Sequence, residues 1–297
     1  MSARELPAWR SLLYVPANVE RFVARAHERG ADAILLDLED SVAAAEKDAA
    51  RRAVQPAAER VGRGGADVLV RINRPWRLAV RDLEASVSPR VRGVVVTKAA
   101  SLDHLRMVDE VISELEAERG VEAGRTAVYA LVETPDAFLR AREIAGGPRV
   151  VAIGLGTEDF SVATGFEVDG PAQVFPNQQI VIAARAAGVL PLGLVGSLAG
   201  YGDADAFRDL AVRSRRLGFV GASAIHPSQV PIINQAFSPS DEEVAHARRV
   251  VEAYDAAVAA GSGAIEVDGR MVDVPVADRA RALLARHEAI AARRRGG

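Results

Sequence analysis

The chain has 297 residues, of which 49% are hydrophobic and 26% charged, and its formal net charge is −3. That composition allows one large α/β domain or two ordinary ones with a substantial core, and it excludes global disorder. A charge this close to balance gives no field that recruits nucleic acid or a membrane surface, and without any cysteine, disulfides, thiolate metal sites and cysteine nucleophiles are excluded.

The N-terminal residues, Met1 to Pro7, contain no apolar signal core, and no apolar run approaches membrane-spanning length, so a cytoplasmic protein is expected. Leu12 to Val15 reads as a first short strand, stopped by Pro16. A helix follows from Asn18, with Val19, Phe22, Val23 and Ala26 at helical spacing and Gly30 at its end. Ala33 to Leu36 is a second strand, continuously apolar as a strand buried on both faces is, and it runs into Asp37, Glu39 and Asp40. A helix from about Ala43 to Val61 comes next.

The pattern then repeats. Val68 to Val70 leads to Arg71 and a helix near Leu78 to Val87, and Val94 to Val96 leads to Lys98. Ser101 can cap a helix whose buried stripe is Leu105, Val108, Ile112 and Leu115. Ala127 to Val132 ends on Glu133, after which Thr134 and Pro135 open a helix to about Ala145. Val150 to Ile153 leads to a Gly-rich stretch holding Asp159, then a long loop to about Ala172 and a helix to Ala187. Leu190 to Val195 and Phe219 to Ala224 are the seventh and eighth strands, separated by a helix from Ala204 to Leu217, and His226 follows the eighth.

Eight apolar strands alternating with helices imply parallel pairing with right-handed crossovers. Eight units in the first 238 residues fit a (β/α)8 TIM barrel better than a Rossmann-type open sheet, and no Gly-x-Gly-x-x-Gly follows the first strand. Residues 239–297 form a C-terminal extension. It has a capping box at Ser240 to Glu243, a helix to about Ala260, a hairpin turning at Asp268-Gly269, and a final helix from Pro275. With little core of its own, it is expected to pack on the barrel or on a neighbouring subunit.

In a barrel the C-terminal strand ends share one face, where active sites sit. Asp37, Glu39, Asp40, Arg71, Lys98, Glu133, Asp159 and His226 all fall there. A carboxylate at the tip of a buried strand is costly unless partnered. Glu133 and Asp159 can together bind one Mg²⁺, which takes one or two carboxylates and fills its shell with water and substrate oxygens. Glu133 can instead pair with Lys98 or Arg71, and Asp159 can be a helix cap. Arg71 offers a planar fork for a carboxylate or enolate oxygen, or else balances the acidic cluster. Asp37 and Glu39 can anchor metal-bound waters or hold Arg71, and His226 is as well explained by structural capping. Lys98 also admits a Schiff-base aldolase, a reading that the acidic metal-type pair makes the weaker one.

Six stretches carry a family resemblance: Arg10 to Pro16, Leu36 to Val42, Val70 to Asn73, Val132 to Thr134, Gly156 to Asp159 and Ala224 to Pro227. With Phe237 to Ser240 and Asp268 to Pro275 in the tail, the chain resembles the citrate lyase beta-subunit-like family of the HpcH/HpaI aldolase superfamily. That family includes citryl-, malyl- and citramalyl-CoA lyases. The resemblance implies a Mg²⁺-dependent carbon–carbon lyase that cleaves a short hydroxyacyl-CoA to acetyl-CoA and a 2-oxo acid. It assigns Glu133 and Asp159 to the metal. Tyr14, Arg21, Arg25, Lys47, Arg71 and Glu133 are assigned to substrate and CoA. The catalytic candidates are Arg71, Glu39 and Asp273, the last an acid/base residue that members with this tail receive from the neighbouring subunit of a homotrimer. Malyl-CoA thioester hydrolysis and a citrate lyase beta subunit acting on a carrier-bound acyl group are the alternatives. The chain departs from the family at Ala17, at Ala99-Ala100, at Leu192-Gly193 and in the Gly-rich loop Gly196 to Gly202. These changes bear on the acyl preference and leave the metal pair intact.

Overall fold

A computed structural model of the chain describes residues 6–296. Residues 1–5, on which part of the N-terminal reading rests, lie outside that range. Two units are distinct, Met1–Phe237 and Ser238–Gly297.

The first unit is α/β. Its eight strands are β1 (Ser11–Pro16), β2 (Ala33–Asp37), β3 (Asp67–Ile72), β4 (Gly93–Val96), β5 (Ala127–Val132), β6 (Val150–Leu155), β7 (Leu190–Pro191) and β8 (Ala222–Ala224). They form one curled sheet in the order β7-β6-β5-β4-β3-β2-β1-β8, every pairing of which is parallel. An isolated parallel bridge joins Leu192 to Gly221, and Gly193 N–H donates to the Gly221 carbonyl at 2.9 Å. The helices between strands are α1 (Glu20–Ala26), α2 (Lys47–Val61), α3 (Trp76–Ser86), α4 (Leu102–Glu118), α5 (Pro135–Leu139), α6 (Ala141–Ala145), α7 (Thr157–Thr164), α8 (Val174–Ala187) and α9 (Ala204–Arg216). α10 (Gln229–Ala236) follows β8.

The two faces of the sheet are sorted by strand alternation. Ile34, Leu36, Val68, Val70, Val94 and Val96 face the helices and share a cluster with Leu83, Leu105, Ile112 and Ile180. Their neighbours Leu35, Leu69, Val95, Tyr129 and Leu131 form a second cluster with Trp9, Leu12 and Leu192, and no helix contributes to it. Strands buried on both faces explain the unbroken apolar runs of the sequence.

The structure differs from the sequence reading at four places. The helix after β5 is two short helices, interrupted at Arg140, whose φ of −103° and ψ of 11° leave the helical region. The stretch around Asp159 is a helix, α7, and not a loop. β7 is two residues long, because Pro191 has no N–H to donate and pairing beyond it is irregular. β8 begins only at Ala222, after Gly218 at φ 109° and Gly221, where any Cβ would lie 2.5 Å from the Arg10 carbonyl.

The second unit contains α11 (Asp241–Ala259), the antiparallel pair β9 (Ile265–Val267) and β10 (Arg270–Val272), and α12 (Val274–Gly296). Ser240 and Glu243 form the expected capping box. Asp268 and Gly269, at φ 52° and 74°, make the two-residue hairpin turn. Val250, Tyr254, Val272 and Ala277 form its small core. Among the described residues, no helix is long and apolar enough to cross a membrane.

Candidate active site

Parallel pairing puts the ends of β2, β3, β4, β5 and β6 on one edge, and the polar residues predicted there do converge. Arg71, at the end of β3, forms a fork with Asp37 at the end of β2: Nε donates to Oδ1 and Nη2 to Oδ2, each at 2.7 Å. Its Nη1 lies 3.0 Å from Glu39 Oε2 and 3.6 Å from Asp40 Oδ2. The guanidinium sits over the Tyr14 ring at 4.7 Å. Asp37 also accepts the N–H groups of Glu39 and Ser41 and the Ser41 hydroxyl. Burial raises the Asp37 carboxyl, but the Arg71 bonds and charge, with Ser41 and Glu39 N–H, more than reverse this and leave it below the ordinary carboxylate range.

Lys98 holds the second charge centre. Its Nζ lies 3.2 Å from Glu39 Oε1, 3.4 Å from Glu133 Oε2 and 3.5 Å from Asp159 Oδ2. Its backbone N–H donates to the same Glu133 oxygen at 3.2 Å, and its φ of 48° is a left-handed value rare for a residue with a side chain. Burial lowers the Lys98 ammonium, but Glu133, Glu39 and Asp159 together outweigh that and raise it. Glu133 is 4% exposed. Burial pushes its carboxyl up to about 7 against the pull of Lys98, with Glu39 and Asp159 adding repulsion. Glu39 is raised for the same first reason, burial, with Asp40 adding to it. Gly156 makes the Glu133 position possible: a Cβ there would sit 2.3 Å from Glu133 Cγ.

These groups border a cavity of about 850 Å³, which Tyr14, Arg21, Asp37, Arg71, Glu133 and Asp159 help to line. Arg25 and Lys47 are not among its lining residues. Arg25 pairs with Glu28 on the exposed side of α1 at 3.2 Å, and Lys47 donates to the Leu38 and Glu39 carbonyls, each at 2.7 Å. His226 stacks on Tyr201 with ring centroids 4.9 Å apart. Asp273 lies in the second unit, where its side chain accepts the Val276 N–H at 3.3 Å at the start of α12.

Among the cavity residues that escape sequence reasoning are Arg29, Tyr129 and Ser223. Tyr129 was visible as the one polar-tipped residue inside an apolar strand, and Ser223 as the hydroxyl between two alanines of β8. Tyr14 and Tyr129 both lie beside Ser223, and burial raises both phenols, Tyr14 to about 12.

Among the described residues no group of three or more histidine and carboxylate side chains is arranged as a metal site. Two carboxylates suffice for Mg²⁺ when water and substrate complete the shell. Glu133 and Asp159 fit that donor set, because their oxygens already converge on one cationic centre, the Lys98 ammonium.

Similarity to known proteins agrees with this geometry. Citrate lyase subunit beta of Escherichia coli (strain K12) is 36% identical, over 97% of this chain and 96% of that protein. The L-malyl-CoA/beta-methylmalyl-CoA lyase of Rhodobacter capsulatus is 32% identical, over 89% of this chain and 90% of that one. The crystal structure of the Mycobacterium tuberculosis protein CitE in complex with magnesium, acetoacetate and coenzyme A matches with a TM-score of 0.73 and 31% identity. That match covers 94% of this chain and 98% of that one. The HpcH/HpaI aldolase/citrate lyase family model matches residues 10–227, and the chain belongs to that family.

Proposed function

We propose that the chain is a Mg²⁺-dependent carbon–carbon lyase that cleaves a short 3-hydroxyacyl-CoA bearing a carboxylate beside its hydroxyl, giving acetyl-CoA and a 2-oxo acid. The observation that carries this is the meeting of Glu133, Asp159 and Glu39 around one cation, next to the Arg71 fork, at the C-terminal edge of a parallel sheet. The Leu192–Gly221 bridge supports reading that sheet as a closed (β/α)8 barrel. The names of the similar lyases support the acyl-CoA substrate, and the magnesium complex supports the metal.

A divalent cation on Glu133 and Asp159 would supply the positive charge that favours the substrate's hydroxyl oxygen as it becomes a ketone. The hydroxyl gives up its proton to solvent water, from which Asp273 is later reprotonated, as the adjacent C–C bond breaks. The electron pair of that bond moves into the thioester carbonyl, forming an enolate. Arg71 has five N–H donors, of which Asp37 and Glu39 take three, so two remain for the developing oxyanion. Asp37 and Glu39 position Arg71. Asp273, delivered by a neighbouring subunit of a homotrimer, gives a proton to the enolate carbon and completes the balance. Tyr14, Arg21, Arg25 and Lys47 are assigned to the CoA and acyl portions.

The test is a panel of malyl-, citramalyl- and citryl-CoA, with free CoA and 2-oxo acid assayed separately. A 2-oxo acid produced in step with acetyl-CoA, and lost in EDTA, is expected. Free CoA without a 2-oxo acid would assign thioester hydrolysis instead, and full activity in EDTA would remove the metal. Glu133→Gln and Asp159→Asn are each expected to lower kcat by about 10²–10³-fold with the fold retained. The similarity to a citrate lyase beta subunit favours a second reading, action on a carrier-bound acyl group within a complex. Co-purification of the chain with an acyl carrier would select it.

A further inference from the structure

Glu39 is the point at which the two charge centres of the site meet. Its Oε2 lies 3.0 Å from Arg71 Nη1 and its Oε1 3.2 Å from Lys98 Nζ. Among the described residues it is the one carboxylate paired with both cations. Glu39 lies beyond the end of β2, so its place depends on the bonds that the Leu38–Glu39 backbone makes.

Those bonds engage every backbone N–H and carbonyl of the two residues. The Leu38 N–H donates to the Arg71 carbonyl at 3.1 Å, and the Glu39 N–H to Asp37 Oδ1 at 2.8 Å. The Glu39 carbonyl accepts from Lys47 Nζ at 2.7 Å and from the Val42 N–H at 3.0 Å. The Leu38 carbonyl accepts from Lys47 Nζ at 2.7 Å and from Asn73 Nδ2 at 2.8 Å.

Asn73 follows β3 and ends the Val70–Asn73 stretch that carries part of the family resemblance, yet the chemistry above gives it no role. It is buried, and its amide is locked by a charge. Asp82 of α3, which has no exposed surface, accepts the Asn73 N–H at 2.8 Å and Asn73 Nδ2 at 2.7 Å, both on Oδ2. Its other oxygen takes Arg51 Nε, from α2, at 2.6 Å. Nδ2 therefore faces two groups that only accept, the Asp82 carboxylate and the Leu38 carbonyl, and turning the amide over would set oxygen against oxygen. A buried ion pair is often no more stabilising than apolar side chains of the same volume. Here two of the three side-chain bonds that Asp82 accepts come from Asn73, so the buried charge acts on the amide that reaches the site.

We propose that Asn73 is a positioning residue of the lyase site: held by Asp82, it fixes the Leu38 carbonyl so that Glu39 bridges Arg71 and Lys98. It thereby sets which Arg71 donors remain for the enolate oxygen. This rests on the lyase reading above, in which Arg71 serves the oxyanion, and it adds a residue that acts through Glu39 without touching the substrate.

The test is a double-mutant cycle on the full chain with Mg²⁺. It follows 2-oxo acid release from whichever of malyl-, citramalyl- and citryl-CoA the wild type cleaves best. Asn73→Ala is expected to lower kcat at least about 10-fold with KM held within about threefold, because the Arg71 donors act on charge that develops only in the transition state. In a Glu39→Ala background no side chain is left to position, and the same substitution is expected to lower kcat by a factor at least about fivefold smaller. A smaller difference between the two backgrounds means that Asn73 does not act through Glu39, and it overturns the proposal. So does a weaker loss in the wild-type background, or one that falls on KM. Asn73→Ser keeps a hydroxyl for Asp82 and runs the same cycle should Asn73→Ala fail to fold. No 2-oxo acid from any of the three thioesters with the wild type refutes the lyase reading and takes this proposal with it.

Discussion

At the scale of single residues, Lys98 is the centre of the site. Its left-handed backbone turns its N–H onto Glu133 while its ammonium reaches three carboxylates, so one residue holds Glu133 by both main chain and side chain. Lys98→Met keeps the stem and removes the charge, leaving Glu39, Glu133 and Asp159 with no cation between them. We expect it to lower the unfolding free energy in EDTA by about 1–3 kcal/mol, with millimolar Mg²⁺ restoring part of the loss. A melting curve unchanged in EDTA would show that Lys98 does not hold the cluster. Gly156→Ala tests the geometry of the same site from the other side. Its Cβ would strike the Glu133 stem, and the Mg²⁺ concentration that half-maximally raises the melting temperature is expected to increase at least about tenfold. An unchanged midpoint would mean that Glu133 accommodates the methyl. Asp37, Arg71 and Glu133 were legible in the sequence because each ends an apolar run, and Asp159 because it follows β6 within four residues; parallel strands bring such ends to one edge. The Glu133–Lys98 pair was legible as an alternative to the metal, and it is present; the reach of the same ammonium to Glu39 and Asp159, and the left-handed backbone behind it, were not, because no residue type announces that angle. Tyr129 and Ser223 were passed over for a different reason: their hydroxyls are visible in the sequence, but inside apolar strands a hydroxyl reads as core.

At the scale of elements, the meeting of α3 and α4 carries a titratable group. His104, on the first turn of α4, packs edge-on against Trp76 of α3 with ring centroids 5.3 Å apart, and its Nδ1 accepts the Ala100 N–H at 3.2 Å. Burial, helped by the charge of Arg74, depresses its imidazole from 6.5 to about 4. A depressed imidazole is neutral in the folded chain while the unfolded chain takes up a proton below pH 6.5. The stability this group contributes is therefore complete above pH 6.5 and declines as the pH falls toward 4. After allowance for solvent screening, the loss is about 1–2 kcal/mol. Comparing the wild type with His104→Gln between pH 7.5 and 4.5 isolates this group, since the carboxylates titrate alike in both. The variant is expected to lose less stability on acidification, and parallel curves would refute the assignment. The β/α alternation itself was legible because strands buried on both faces are uniformly apolar. Where the reading missed, at α7, at the α5–α6 break and in the short β7 and β8, tertiary hydrogen bonds and Pro191 override local pattern.

At the scale of the whole molecule, the role proposed for Asp273 makes each site depend on a second chain. Its side chain caps the start of α12 in the second unit, and the proposal brings it to a neighbour's cavity. Glu133→Gln and Asp273→Ala are each expected to be inactive alone. Co-expressed in equal amounts, they should recover about a quarter of wild-type activity, because random pairing around a ring reunites one intact Glu133 with one intact Asp273 at that frequency. No recovery would mean that Asp273 acts within its own chain or not at all.

The pairing of β1 with β8 has a consequence for how the chain is made. Ser11 lies opposite Ala222, and the Ser11 hydroxyl donates to Asn234 Oδ1 at 2.7 Å. β1 therefore meets one of its two neighbours only after some 200 further residues have been synthesised. At about 5–20 residues per second, that edge waits roughly 10–40 s without its partner. Throughout that time it is an open template for other nascent chains. Yield in a cell is then governed by what shields the β1 edge during synthesis. Slowing translation upstream of codon 222 should raise the aggregated fraction more than the same delay placed after it.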